Sequence, residues 1–262
     1  MLVRNSPEPP LRVVREFDCA DGSALAHLHN VSGGLLGGDD LTLSVDVGPG
    51  ASAQLTTTGA TRIYRSRTSA PPTVQTNRIR VAENALLEYV PDPIIPFAGS
   101  RFVQSTTIEL APGAGLFWWE ILAPGRAARG EEFEYELVEM KTDLFAERLI
   151  AAERVRLEPR DRAVASLARL GPYRYWGSFY ICRVGEDPAT WLRAEQHLRE
   201  TASGFARPDE ALWGISTLVA HGLAVRCVAA QGRDIVDGMH ALWSAAKQFI
   251  YHRDAIPPRK VN

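Results

Sequence analysis

From Leu41 to Val47 the chain alternates without a break, with Leu41, Leu43, Val45 and Val47 on one side and Thr42, Ser44 and Asp46 on the other. That period of two is the signature of a strand with one buried face. Gly48-Pro49-Gly50 then enforces a turn, and the β-forming stretch Ser52 to Thr58 follows. The unit constrains the fold because it recurs. Arg78 to Val81 enters Ala82-Glu83-Asn84-Ala85 and leaves through Leu86 to Val90, and Thr107 to Leu110 enters Ala111-Pro112-Gly113-Ala114-Gly115 and leaves through Leu116 to Ile121. Arg154 to Leu157, followed by Glu158 to Asp161 and Ala163 to Leu167, reads as a fourth copy. The last apolar residues before each turn, Val47, Val81, Leu110 and Leu157, are 34, 29 and 47 residues apart, too uneven for a strict solenoid. Hairpin-like units that bury one face only by stacking on a neighbour predict a mainly β, stacked and partly β-helical body rather than a parallel α/β sheet. Glu131 to Met140 and Leu144 to Ala152 add extended segments, the second also compatible with a helix on propensity.

The last third changes period. Asp187-Pro188 is an N-cap followed by proline at the first helical position, and Trp191, Ala194, Leu198 and Ala202 then share a face before Gly204. Ile235, Met239, Leu242, Trp243, Ala246, Phe249 and Ile250 form a wider apolar stripe, so a second helix packs on a core. Leu212 to Val219 and Gly222 to Ala230 read as two strands between them, and Ile256 to Asn262 as an irregular tail.

Composition limits function more than fold. With 262 residues and a net charge of −2, the chain lacks the basic excess that phosphate neutralisation demands of a nucleic-acid binder. The polar, Pro-rich start from Met1 to Pro10 is no secretory signal, and no apolar run is long enough to span a membrane, so a cytoplasmic protein is expected. Cys19, Cys182 and Cys227 have neither zinc-ligand nor redox spacing and read as reduced thiols. Among the 29 basic residues only Lys141, Lys247 and Lys260 are lysine.

The usual catalytic carriers are missing: no Gly-x-Ser-x-Gly, His-Glu-x-x-His, Gly-x-Gly-x-x-Gly or Gly-x-x-x-x-Gly-Lys-Ser/Thr occurs. His27 and His29, two apart on a strand, point to one face and offer at most a weak divalent-metal site, a hydrogen-bonded pair being the commoner arrangement. Gly33-Gly34-Leu35-Leu36-Gly37-Gly38-Asp39-Asp40 runs into a strand rather than a helix, which suits a tight β connection or a binding edge better than a phosphate cradle. Arg62, Tyr64 and Ser66 alternate beyond a threonine cluster as a solvated strand face. Glu88 and Glu120 sit among apolar neighbours. A carboxylate buried there requires a partner, most often an arginine, although oxygen ligands lining a wet passage also hold a divalent cation weakly.

In this order, Ser32-Gly33-Gly34-Leu35-Leu36-Gly37-Gly38-Asp39, Leu55-Thr56-Thr57-Thr58-Gly59-Ala60-Thr61-Arg62-Ile63-Tyr64-Arg65-Ser66, Leu87-Glu88-Tyr89-Val90-Pro91, Ile95-Pro96-Phe97, Gly125-Arg126 and Gly130-Glu131 resemble the urease accessory proteins called UreD or UreH. The likeness is dense over residues 28 to 150 and rests on Pro258-Arg259 near the end; Tyr89, Asp92 and Lys260 depart from the usual Trp, Gln and Trp. The resemblance implies a single UreD-like domain over residues 1 to 262, mostly β with two helices. It also implies a noncatalytic scaffold, without a tightly bound cofactor, that joins apo-urease, UreF and UreG and helps deliver Ni²⁺. GTP hydrolysis would belong to UreG, matching the missing P-loop, and UreF is expected near the C-terminal helix and tail. A transient nickel passage through this subunit makes Asp39, Thr57, Thr58, Glu88, Glu120 and Glu131 the candidate lining residues. Two other classes fit the composition: a β-helical carbohydrate-active hydrolase or lyase, with clustered carboxylates in an open cleft, and a metal-storage protein holding its ion at His27 and His29.

Overall fold

Strands that alternate strictly but lie far apart in sequence must find partners by stacking, and a computed structural model, which describes residues 8–67 and 69–258, shows how. The described residues form fifteen strands and two α-helices. A ten-stranded sheet runs in the order β1 (Leu11–Asp18), β2 (Ala24–Asn30), β4 (Ser52–Thr57), β7 (Leu86–Tyr89), β10 (Gly115–Leu122), β13 (Tyr175–Arg183), β15 (Gly222–Ala229) and β14 (Ala211–Thr217). The short strands β5 (Thr61–Ile63) and β8 (Ile94–Pro96) attach beside β10. The second sheet has five strands, β12 (Arg148–Leu157), β11 (Leu137–Ala146), β9 (Arg101–Leu110), β6 (Thr73–Val81) and β3 (Asp40–Val47).

The recurring units are arches rather than hairpins. Each turn carries the chain from the five-stranded sheet to the ten-stranded one, β3 to β4, β6 to β7 and β9 to β10, so the strands flanking a turn pair with the next copy instead of with each other. The copies stack in parallel, with Val47 opposite Val81 and Val81 opposite Leu110. The turns stack as well: Gly50, Asn84 and Gly113 each adopt a left-handed backbone, φ 65°, 55° and 73°. The N–H of Gly50 donates to Glu83 and that of Asn84 to Pro112, 2.9 and 3.1 Å. Glycine tolerates that conformation freely and asparagine better than most residues, which explains their place in the repeat.

The fourth copy does not form. Leu157 ends β12, which runs antiparallel to β11 and sets Leu157 opposite Val138. Ala163 to Leu167 is a run of turns with Leu167 93% exposed. The place beside β10 that its strand would need is occupied by β13, antiparallel over eight residue pairs. Leu144 to Ala152 is extended but crosses a hairpin turn at Glu147, and Glu131 to Glu136 is irregular, with β11 starting at Leu137. The two helices of the last third and the strands β14 and β15 fall where the sequence pattern puts them, whereas β1 and β13 have no counterpart in it.

α1 (Pro188–Ser203) is capped by Asp187, whose carboxylate accepts the N–H of Ala189 at 2.9 Å. α2 (Gly232–Tyr251) buries Ile235, Met239, Leu242, Trp243, Ala246 and Ile250. Both helices cover one face of the ten-stranded sheet over Phe117, Trp119, Ile121, Phe179 and Val225. The other face packs on the five-stranded sheet, so all eight residues of β10 are buried. Among the described residues no helix is long and apolar enough to cross a membrane. The Arg259 and Lys260 positions of the tail lie outside the described residues.

Candidate functional site

The space between the sheets is not uniformly apolar. On the inner face of the five-stranded sheet Asn77, Thr106 and Thr142 stand in one rung across β6, β9 and β11, and Gln75 and Gln104 in the adjacent one. They divide the interior into a cluster with Leu43, Ile79, Ile108 and Leu144 and another with Leu41, Phe102, Val138 and Met140. From the facing sheet Glu120 and Ser178, paired in register, meet this layer, with Arg226 next in line.

Side-chain hydrogen bonds connect the layer. Gln104 Nε2 donates to Glu120 Oε1, and Thr142 Oγ1 lies 3.5 Å from Oε2. Asn77 Nδ2 donates to Thr106 Oγ1 at 2.9 Å and Gln75 Nε2 to Asn77 Oδ1 at 3.0 Å. At the β12 edge Glu153, opposite Thr142, pairs with Arg226 at 2.6 Å and accepts from Tyr180 Oη at 3.3 Å. Leu55, Tyr89 and Trp118 align across β4, β7 and β10, so Thr57 and Glu120, each two residues on, share a level of the inner face. Thr57 Oγ1 donates to the Asp92 carboxylate at 3.2 Å and accepts the Asp92 N–H at 2.9 Å.

Glu120 is the carboxylate at the centre of this layer. Burial raises its pKa to about 7; the Gln104 bond pulls it down and the negative charge of Glu153 pushes it up. No cation compensates it at contact distance among the described residues, so near neutrality it exists in both charge states.

Glu88 faces the opposite way. It aligns with Gln54 and Phe117 on the outer face of the ten-stranded sheet, beneath α2. There Trp243 Nε1 donates to Oε2 at 2.7 Å and Lys247 Nζ to Oε1 at 2.8 Å, with Asp21 a further 3.4 Å contact of the ammonium. Lys247 is 1% exposed. Burial raises the Glu88 carboxyl, and Lys247 and Trp243 draw it back without cancelling that effect. Burial also raises Asp21, but bonds from Ser23 and the charge of Lys247 outweigh it and leave Asp21 below its usual range.

The other candidates lie in local clips. Asp39 accepts the N–H of Leu36 at 2.8 Å and closes the glycine-rich segment. That segment is a β connection: Leu35 bridges Ile63 in parallel, and Gly33 O accepts from Arg62 and Tyr64 at 3.3 and 3.2 Å. A Cβ on Gly34 would meet the Tyr64 ring at 2.6 Å, and one on Gly37 the Ser66 hydroxyl at 2.9 Å; the positive φ of Gly38 (94°) completes the segment. Glu131 is held by Arg126, which keeps its carboxyl below the usual range, and Arg126 lies 4.3 Å from the Phe97 ring. Gly125 leaves room for the Glu131 carbonyl next to Pro96. Thr58 donates its N–H to Leu28 at 3.2 Å, and Pro91 O accepts from Trp119 at 3.0 Å. His27 and His29 lie on β2, with Phe17 edge-on to His27 at 5.5 Å, and no group of three or more His, Cys, Asp or Glu able to hold a metal occurs among the described residues.

Of the six candidate lining residues, therefore, Thr57 and Glu120 share the interior, Glu88 lies across the sheet, and Asp39, Thr58 and Glu131 sit at strand ends or in turns. Gln104, Thr142 and Lys247 were not among the sequence candidates. The available signal for Lys247 was its rarity, one of three lysines, placed inside an apolar helical stripe.

These features define a β-solenoid-like body of two stacked sheets, capped by two helices and crossed by a buried polar layer. The family model for the UreD urease accessory protein matches residues 1–262, and the chain belongs to that family. It is similar to a urease accessory protein UreD of Herpetosiphon aurantiacus, 44% identical over 254 residues, 97% of this chain and 88% of the relative. It is also similar to one of Staphylococcus aureus, 31% identical over 228 residues, 87% of this chain and 80% of the relative.

Proposed function

We propose that the chain is a noncatalytic cytoplasmic scaffold of urease maturation, which binds apo-urease together with UreF and UreG and assists nickel insertion. The observation that carries this reading is the polar layer between the sheets: carboxylate, amide and hydroxyl oxygens arranged around Glu120. Oxygen donors of this kind hold a borderline cation such as Ni²⁺ weakly, which suits transfer better than storage. Nickel is cargo here, with no resident cofactor, and GTP hydrolysis falls to UreG. Thr57 with Asp92, then Glu120, then Glu153 mark its course, while Glu88, Glu131 and Asp39 hold the surrounding structure.

Deleting the gene and assaying urease with and without excess nickel tests the reading. Loss of activity and nickel content under limiting nickel, with partial recovery in excess, is expected. Unchanged nickel content under limitation would overturn it.

A further inference from the structure

The stacked turns of the three arches and the ends of both helices enclose a groove of about 810 Å³. Asn84 and its neighbouring turns form one wall, and Arg183, Arg193 and Arg253 face it from the other, against the single carboxylate of Glu186. Glu186 is already 3.5 Å from Arg183. Arg183 is fixed: its Nη1 donates to the Ile250 carbonyl at 3.0 Å, and its guanidinium lies 5.1 Å from the Tyr251 ring. Arg193 bonds the Thr190 hydroxyl at 3.0 Å, and neither it nor Arg253 has a carboxylate partner among the described residues. Arg154, Arg156, Arg174 and Arg226 are paired, whereas Arg78, Arg101 and Arg148 also lack a carboxylate partner among the described residues, so the groove is set apart by three guanidiniums facing one carboxylate. The groove thus combines a concave shape, one anchored guanidinium and two uncompensated ones in a chain whose overall charge is −2.

We propose that this groove receives an acidic, extended segment of a partner protein, its carboxylates on Arg193 and Arg253 and its backbone along the stacked turns. Guanidinium forks recognise carboxylates with two parallel hydrogen bonds, and an unpaired cationic rim steers acidic partners toward it. The need for a partner rests on the scaffold role proposed above, whereas the groove owes nothing to the nickel layer.

The test uses the full chain and a fluorescein-labelled peptide of alternating Glu and Gly, followed by anisotropy. Saturable binding that weakens with salt is expected, reduced at least ~10-fold in Arg193→Glu/Arg253→Glu. The milder pair Arg193→Gln/Arg253→Gln should lose less, with circular dichroism unchanged in both. Arg78→Glu, on the exposed face of the five-stranded sheet, is the control and should bind as the parent does. Absence of saturable binding, or an equal loss in Arg78→Glu, would overturn the groove. Urease nickel content reports separately on the maturation role, so a failure of either reading is visible by itself.

Discussion

Glu88 and Glu120 lie on neighbouring strands of one sheet, both nearly inaccessible, at 1% and 6% exposure, yet they face opposite sides and meet opposite chemistry. Beneath α2, Glu88 has an ammonium and an indole N–H on its two oxygens. Between the sheets, Glu120 has an amide and a hydroxyl, both neutral. A cation beside a buried carboxylate supports its charged form and fixes its geometry; a buried carboxylate with only neutral donors lacks that support. Burial alone therefore does not mark function. The first residue fastens a helix to a sheet across 159 positions of sequence, and the second is the one proposed above to meet the nickel ion.

The largest expected effect breaks the first half of that contrast. Lys247→Met leaves Glu88 buried without its cation and should cost about 3–5 kcal/mol, read from urea unfolding. Adding Glu88→Gln should recover much of the loss, because the neutral amide needs no counter-charge. If the single and double variants are equally destabilised, the pair is not the fastening described here.

Glu120→Gln sharpens the second half. The folded pKa of about 7 stands above the ordinary glutamate value of 4.5, so the folded state holds the proton more tightly than the unfolded chain. Stability then falls as pH rises from about 4.5 to about 7 and levels off above. The shift corresponds to about 3 kcal/mol at most. Glu120→Gln should therefore be more stable than the parent at pH 8 by up to that amount and indistinguishable from it near pH 4. A parent protein whose stability rises through this window relative to the variant would refute the assignment.

A smaller effect probes the edge of the layer. The negative charge of Glu153 raises the pKa of Glu120, so Glu153→Gln should lower the midpoint of the pH-dependent difference between parent and Glu120→Gln. The change should be below about one pH unit, since the two groups are not in contact and Arg226 balances Glu153. A midpoint that moves upward would contradict the coupling.

Much of the fold was legible because its signals are local. Strict alternation in Leu41 to Val47, glycine or asparagine in each turn, and Asp187-Pro188 at a helix start each act within a few residues. Pairing is not local. The period of a strand says which face is buried but not which strand lies beside it, so arches read as hairpins. Ala163 to Leu167 read as a strand although β13 had taken its place. The site followed the same rule. Glu88 and Glu120 stood out as charges in apolar company, but arginine was the expected partner; the actual ones are Lys247, 159 residues from Glu88, and Gln104 and Thr142 on the facing sheet. Lys247 was hidden because a helical stripe is recognised by its apolar members.

Nickel content of urease purified from cells grown under limiting nickel tests the central contrast most directly. In a strain carrying Glu120→Ala, with the accessory protein folded and present at parental level, the account predicts a fall of ~10-fold or more, the scale typical of removing a metal-site contact. A strain carrying Glu88→Gln with Lys247→Met, if equally well folded, should load nickel as the parent does. Full loading with Glu120→Ala, or a loss confined to the Glu88 pair, would contradict it.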